Sequence, residues 1–400
     1  MTRQEAAIQY LENNYLQFNR LRYDVVGGKL QIRDTNNLWR EMTKQEINSA
    51  VCACAQEYKI NVTNREIITV LQSNIVPSVH PLREYVLSCP DYTPDQPDWI
   101  DLVAQKVTVK PSLVRDDRLW RVCFKKWFVG MVASWMYDDV VNHQVLVLIG
   151  KQGIFKTTWL EHLIPPALRA YCCKLANTTQ INKDDRLRLA EFGLINLDEL
   201  DSMSSRELNT MKSIITATDV NERVAYGYTK ERKIRLASFC ASSNRREFLT
   251  DITGNRRWLP FEVESIENPF QSILPYERMY AQARYLVEYG FNYWFDLDDI
   301  ATLEKHNESF RAQESEEQLL PILFDVPAEG RGEFMTTAQI SERLVTYGNI
   351  KKPMPLNRLG MLLGQMGFKN IRAGKQRVCG WLVYQYSQDE IKSMQKIYAK

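Results

Sequence analysis

Residues 146–158 read Leu-Val-Leu-Ile-Gly-Lys-Gln-Gly-Ile-Phe-Lys-Thr-Thr. A short apolar run ends at Gly150. Gly153 follows, then Lys156, Thr157 and Thr158, and then a helix-like stretch over residues 159–164. A strand that feeds a glycine-punctuated loop and then a helix N-terminus commits the chain to an α/β core. The loop N–H groups and the helix N-terminus suit phosphate oxygens. Lys156 would reach the terminal phosphates and the Thr157 hydroxyl would hold Mg²⁺. Gly150, Gly153, Lys156, Thr157 and Thr158 are therefore the expected nucleotide-binding set. Phe155 stands where such a loop usually has glycine. A positive φ is costly for Phe, so either this residue sits at negative φ or the loop differs in shape.

A second apolar run, Phe-Gly-Leu-Ile-Asn-Leu over 192–197, ends in Asp198 and Glu199. Hydrolysis of a nucleoside triphosphate needs one carboxylate beside the metal and one that orients or deprotonates water. A third run, Ile-Arg-Leu-Ala-Ser-Phe-Cys-Ala over 234–241, leads to Ser242, Ser243 and Asn244. An asparagine at such a strand tip can hydrogen-bond the γ-phosphate or the water. Further on, Gly254-Asn-Arg-Arg-Trp258 offers Arg256 and Arg257. Paired arginines can neutralise transition-state charge at a neighbouring copy's nucleotide.

Residues 219–228 (Asp-Val-Asn-Glu-Arg-Val-Ala-Tyr-Gly-Tyr), 241–244 (Ala-Ser-Ser-Asn) and 248–258 (Phe-Leu-Thr-Asp-Ile-Thr-Gly-Asn-Arg-Arg-Trp) resemble the virulence-associated protein E family. The resemblance spans about residues 90–320, and 248–257 is its most specific part. The family consists of P-loop ATPases of phages, satellites and mobile elements, similar to superfamily 3 replicative helicases. The resemblance implies an AAA+-like ATPase core. Gly150, Gly153, Lys156 and Thr157 would form Walker A, Asp198 and Glu199 Walker B, and Asn244 the sensor. Arg257 would be the arginine finger, with Arg256 behind it.

The family's helicase relatives carry a channel hairpin just before the sensor strand. Here residues 224–234 read Val-Ala-Tyr-Gly-Tyr-Thr-Lys-Glu-Arg-Lys-Ile. Lys230, Arg232 and Lys233 are candidates for phosphate contact, and Tyr226 and Tyr228 for stacking on bases. A solvated basic turn is the alternative.

Net charge is only +2, so any nucleic-acid surface must be a local patch. No apolar run is long enough to span a bilayer, and the first residues run straight into an amphipathic pattern without a signal peptide. The eight cysteines include no Cys-x-x-Cys pair, and the four histidines are scattered. Reduced thiols in a cytoplasm, without a zinc site, are expected.

Length and punctuation divide the chain into three. Residues 1–95 form a small α+β or helical, collar-like head. It contains a hairpin over 22–33 that turns at Gly27-Gly28, then helices over 44–58 and 64–73. No strand in it carries the paired carboxylates of a primase palm. A proline-rich stretch, Cys89–Asp98, closes it. Residues 96–320 form the ATPase. Its lead helix over 115–136 has Leu119, Val122, Trp127, Met131 and Trp135 at core spacing. Residues 321–400 read as a winged helix. Thr336 caps one helix, a second runs from Leu356 to Met366 and stops at Gly367, and a hairpin over 368–383 carries Lys369, Arg372, Lys375 and Arg377 near its tip. Such a module docks on DNA or on protein.

The expected whole is an α/β, ring-forming, ATP- and Mg²⁺-dependent DNA helicase of a mobile element. It would be a homo-hexamer acting on single-stranded or forked DNA, with a primase or polymerase as a further partner. The alternative is an ATP-switched initiator or assembly protein that does not unwind. A small-molecule P-loop kinase is disfavoured by the C-terminal module and the paired arginines.

Overall fold

The computed structural model describes residues 1–35, 37–111, 117–175, 183–198, 200, 203, 205–222, 231–249, 255–311, 315–328, 332–351, 353–373 and 377–398. These form two compact units, one of residues 1–248 with 255–310 and one of residues 249–254 with 311–400. Among the described residues no helix is long and apolar enough to cross a membrane.

The first unit begins with a four-stranded sheet. Its strands are β1 (Leu21–Asp24), β2 (Lys29–Arg33), β3 (Trp39–Glu41) and β4 (Ser78–Val79), in the order β3-β2-β1-β4. The expected hairpin is β1–β2, with Gly28 at φ +65° in its turn. Capping boxes at Thr2, Thr43 and Thr63 start the helices that cover this sheet. Their inner faces and the sheet bury Leu11, Leu21, Ile32, Ile67 and Leu71. A buried Asp24 accepts 2.8 Å from the Tyr171 hydroxyl and so ties this layer to the chain beyond it.

The central sheet follows, with β5 (Val107–Val109), β6 (Val145–Ile149), β7 (Cys172–Leu175) and β8 (Leu194–Leu197). A two-stranded hairpin of β9 (Asp219–Glu222) and β10 (Glu231–Ile234) comes next. The central sheet resumes with β11 (Ser238–Ser243) and β12 (Trp258–Ile266). Its order is β5-β12-β6-β11-β8-β7, with all pairs parallel except β5–β12. Strands β6, β8 and β11 are buried throughout, as a parallel sheet covered on both faces requires. The connection from β11 to β12 jumps across β6. The loop after β6 therefore leaves the sheet where the strand order reverses, the usual place for a ligand crevice.

The lead helix, Arg118–Met136, packs on this sheet. Its indoles are core groups whose N–H atoms find backbone partners. Trp120 donates to Ala104, Trp127 to Phe239 and Trp135 to Gly193. Val122 departs from the expected core stripe: it is 40% exposed, on the face turned from the sheet.

Arg235, only 1% exposed, joins the hairpin to the central sheet. Its guanidinium donates to the carbonyls of Ile214, Ile215 and Ala217, where the helix Ser205–Ile215 ends, and to those of Ala237 and Asn142. It also lies over the Phe239 ring. Burial lowers its pKa to about 9, still above neutrality, so a full charge faces the negative end of that helix.

The second unit holds β13 (Phe324–Asp325), β14 (Glu333–Met335), β15 (Lys369–Ala373) and β16 (Val378–Gln385), all antiparallel to β16. Helices Thr337–Gly348 and Leu356–Gln365 lie between β14 and β15. Thr336 makes the expected capping box with Gln339, and Gly367 ends the second helix at φ +88°. Leu344, Leu359, Leu363, Phe368 and Val383 form its core.

Candidate functional site

The loop after β6 closes over its own lysine. The Lys156 Nζ lies 2.8 Å from the carbonyl oxygens of both Gly150 and Lys151, and 3.2 Å from Asn244 Oδ1. Gly150 is required by crowding, since a Cβ there would come within 2.9 Å of the Val263 carbonyl. Gly153 is required by backbone, at φ +86°. Lys156 opens the helix Lys156–His162, so the unpaired N–H groups of its first turn face the loop interior.

Phe155 sits at φ +67° and ψ 16°. The expected negative φ is therefore not found. The left-handed conformation is kept and the phenylalanine carries its strain. The ring meets Phe270 edge-on at 6.5 Å, a contact that offsets part of that strain.

Strands β8 and β11 bring the polar partners. The hydroxyls of Thr157 and Ser242 both donate to Asp198 Oδ1, at 3.1 and 3.0 Å, and lie 3.0 Å from each other. The β11 tip is fixed to the loop by the Gly150 N–H, which donates to the Ser243 carbonyl at 3.1 Å. Gln152, Gly153, Phe155, Lys156, Thr157, Thr158, Asp198, Ser242 and Asn244 line one cleft of about 370 Å³. Of the expected nucleotide set, only Gly150 lies behind this lining. Ser242 had no role in the sequence reading. Its signal was its place at the tip of the same strand as Asn244, and only parallel pairing shows that this tip faces Thr157.

The donor set suits a phosphate with a hard cation. One ammonium and a helix N-terminus favour phosphate oxygens. A hydroxyl and a carboxylate on one side are what Mg²⁺ takes, because it keeps several waters and shares its other sites with phosphate. Among the described residues no group of three or more His, Cys, Asp or Glu is placed to hold a metal. A cation shared with phosphate needs none.

The arginine pair lies elsewhere. Arg256 and Arg257 end the 3₁₀ turn Asn255–Arg257, directly before β12. Trp258 pairs with Val145 and Glu262 with Ile149. Arg257 is therefore at the start of the parallel strands and the loop is at their far end, about 20 Å away at 3.3 Å per residue. Burial, and then the neighbouring Arg256 charge, lower the Arg257 pKa from its ordinary value. Arg257 is thus not part of the cleft built around Lys156 in its own chain.

Glu199, Tyr226, Tyr228, Lys230 and Lys375 lie outside the described residues. Arg232 pairs with Asn221 in β10, and its side chain is likewise outside them. Lys233 pairs with Val220 at the root of the hairpin, and its ammonium is 3.7 Å from Glu191. In the second unit Arg372 and Arg377 are exposed on either side of the β15–β16 turn.

Fold and site together define an α/β protein whose parallel sheet resembles a nucleotide-binding core. The model of the virulence-associated protein E-like domain matches residues 98–312, and the chain belongs to that family. A search of curated proteins returned no match. Among solved structures, the chain is similar to the A form apo structure of the NrS-1 C-terminal region, with 11% identity, TM-score 0.45, and coverage of 93% of this chain and 98% of that one. A further apo structure of the NrS-1 C-terminal region has 11% identity, TM-score 0.42, and coverage of 95% and 99%.

Proposed function

We propose that this chain is an ATP-dependent DNA helicase of a phage or mobile element, working as a ring that translocates on single-stranded DNA. The observation that carries the reading is the convergence of Lys156, Thr157, Asp198, Ser242 and Asn244 on one cleft at the switch point of a parallel sheet. Lys156 and the loop N–H groups bind the triphosphate. Thr157 and Asp198 hold Mg²⁺, which supplies charge neutralisation at the phosphates. Asn244 contacts the terminal phosphate, and Glu199 takes the water's proton. Arg257 reaches the nucleotide of the next copy, which suits its distance from its own loop.

Residues 1–95 are the head, 96–320 the motor and 321–400 the C-terminal module in this reading. The order strand, helix, helix, hairpin in 333–385 supports a winged helix, with Arg372 and Arg377 on its wing and Lys375 between them in sequence. The hairpin rooted at β9 and β10 is the proposed single-strand contact.

Mixing Arg257→Ala with Lys156→Ala subunits tests the shared site. Each variant alone should be inactive, and the mixture should regain some ATP turnover, because one kind of interface is intact. Unwinding of a forked duplex by the wild-type protein tests the motor. ATP turnover with no strand separation would leave an ATP-switched initiator or assembly protein.

A further inference from the structure

The turn that carries the two arginines is held by one side chain from a distant helix. Asn307 is in the last turn of the helix Leu297–Glu308 and is 1% exposed. Its Nδ2 donates to the Asn255 carbonyl at 2.9 Å and to the Trp258 carbonyl at 3.0 Å. Asn255 directly precedes the arginine pair, and Trp258 directly follows it. A turn of three residues makes few bonds of its own, so its carbonyls need donors from outside. One amide with two hydrogens serves both.

Ordinary packing does not account for this residue. The Asn307 Oδ1 is buried with no hydrogen-bond partner among the described residues. Burying such an oxygen costs stability that an apolar side chain of the same size would not lose. What the amide adds over leucine is its pair of donors. The neighbouring His306 anchors the same helix to the strand beyond, with Nε2 2.6 Å from the Pro260 carbonyl. Burial lowers the His306 pKa, which favours a neutral ring at that contact.

We infer that Asn307 is a positioning residue that fixes the direction in which Arg256 and Arg257 leave the sheet, and so sets turnover at the neighbouring copy's site. The inference rests on the reading that Arg257 acts in trans. Its mechanism is geometric: the clamp fixes the backbone on both sides of the pair, and a misplaced catalytic group loses much of its effect.

The test uses the full chain and two variants, Asn307→Leu and Asn307→Ser. A fluorescent ATP analogue should bind each with unchanged affinity, because the Lys156 loop is at the other end of the strands. ATP turnover should fall by about a hundredfold in Asn307→Leu, the loss expected of a displacement near 1 Å. Asn307→Ser, which keeps one donor, should lie between this variant and wild type. Adding Asn307→Leu to Arg257→Ala should lower turnover no further, since both act through one group. In mixtures with Lys156→Ala, Asn307→Leu should complement as Arg257→Ala does.

Should Asn307→Leu fail to fold, Asn307→Ser decides alone. Full turnover in a folded Asn307 variant, where Arg257→Ala has lost it, overturns the inference and leaves the trans reading standing. Normal turnover in Arg257→Ala overturns both.

Discussion

The Lys156 ammonium and the Asn244 side-chain oxygen are 3.2 Å apart, joined across the tips of the adjacent strands β6 and β11. The Gly150 and Lys151 carbonyls accept from the same ammonium. A phosphate that takes the lysine competes with these acceptors. The two residues should therefore separate in their effects. Lys156→Ala should weaken ATP binding, because it removes the charge. Asn244→Ala should weaken binding far less than Lys156→Ala, since the ammonium and its charge remain. Its turnover should fall by about tenfold or more, if the amide also contacts the terminal phosphate. Equilibrium binding and steady-state turnover of both variants read this out. An Asn244→Ala protein with wild-type turnover would remove it from the site.

Asp198 takes two hydroxyl hydrogens on one oxygen, from Thr157 and from Ser242. Asp198→Asn should abolish the Mg²⁺ dependence of nucleotide binding, measured by titrating the metal at fixed ATP analogue. Ser242→Ala should leave the Mg²⁺ dependence in place and shift the same titration by about tenfold, the worth of one hydrogen bond to a carboxylate. Equal effects of the two substitutions would argue against a metal on Asp198.

Phe155 holds a left-handed conformation that costs a residue with a side chain about 1–2 kcal/mol. Glycine there removes the strain but loses the Phe270 contact and loosens the unfolded chain. Phe155→Gly should therefore stay within about 1 kcal/mol of wild type in denaturant unfolding and should still bind nucleotide. Phe155→Ile should be destabilised and should bind poorly, because a β-branched residue is least tolerated at positive φ. Similar unfolding midpoints for the two would show that the backbone is not what matters there.

Arg235 is surrounded by carbonyls from three segments of the chain. Arg235→Met should destabilise the protein by about 3 kcal/mol or more, because several buried carbonyls lose a charged donor together. Arg235→Lys should recover part of the loss, since it keeps the charge but not the fork. Chemical denaturation followed by tryptophan fluorescence measures both. A methionine variant as stable as wild type would mean that water replaces the guanidinium.

The loop after β6, the Asp198 strand and the Asn244 strand were legible because each is a short apolar run that ends in a few polar residues of fixed chemistry. Pairing was not legible. Nothing in the local pattern says that β11 lies between β6 and β8, so Ser242 could not be placed beside Thr157. The backbone at Phe155 was misjudged because residue preference is weak evidence where the surrounding loop fixes the conformation. Val122 has core spacing, but it lies in the first half of the helix, where one face is open, whereas from Trp127 to Met136 the helix is buried on every side. Arg235 and Asn307 were invisible, since their partners are backbone carbonyls far away in sequence, and a carbonyl leaves no mark on the residue type.

The loop that holds Lys156 and the turn that holds Arg257 stand at opposite ends of the same parallel strands. A catalytic centre made from both gives every copy a front and a back. In the proposed reading the copies stack in one direction, and an open row leaves one unserved loop at one end and one idle arginine at the other. Closing such a row upon itself gives every copy a complete centre.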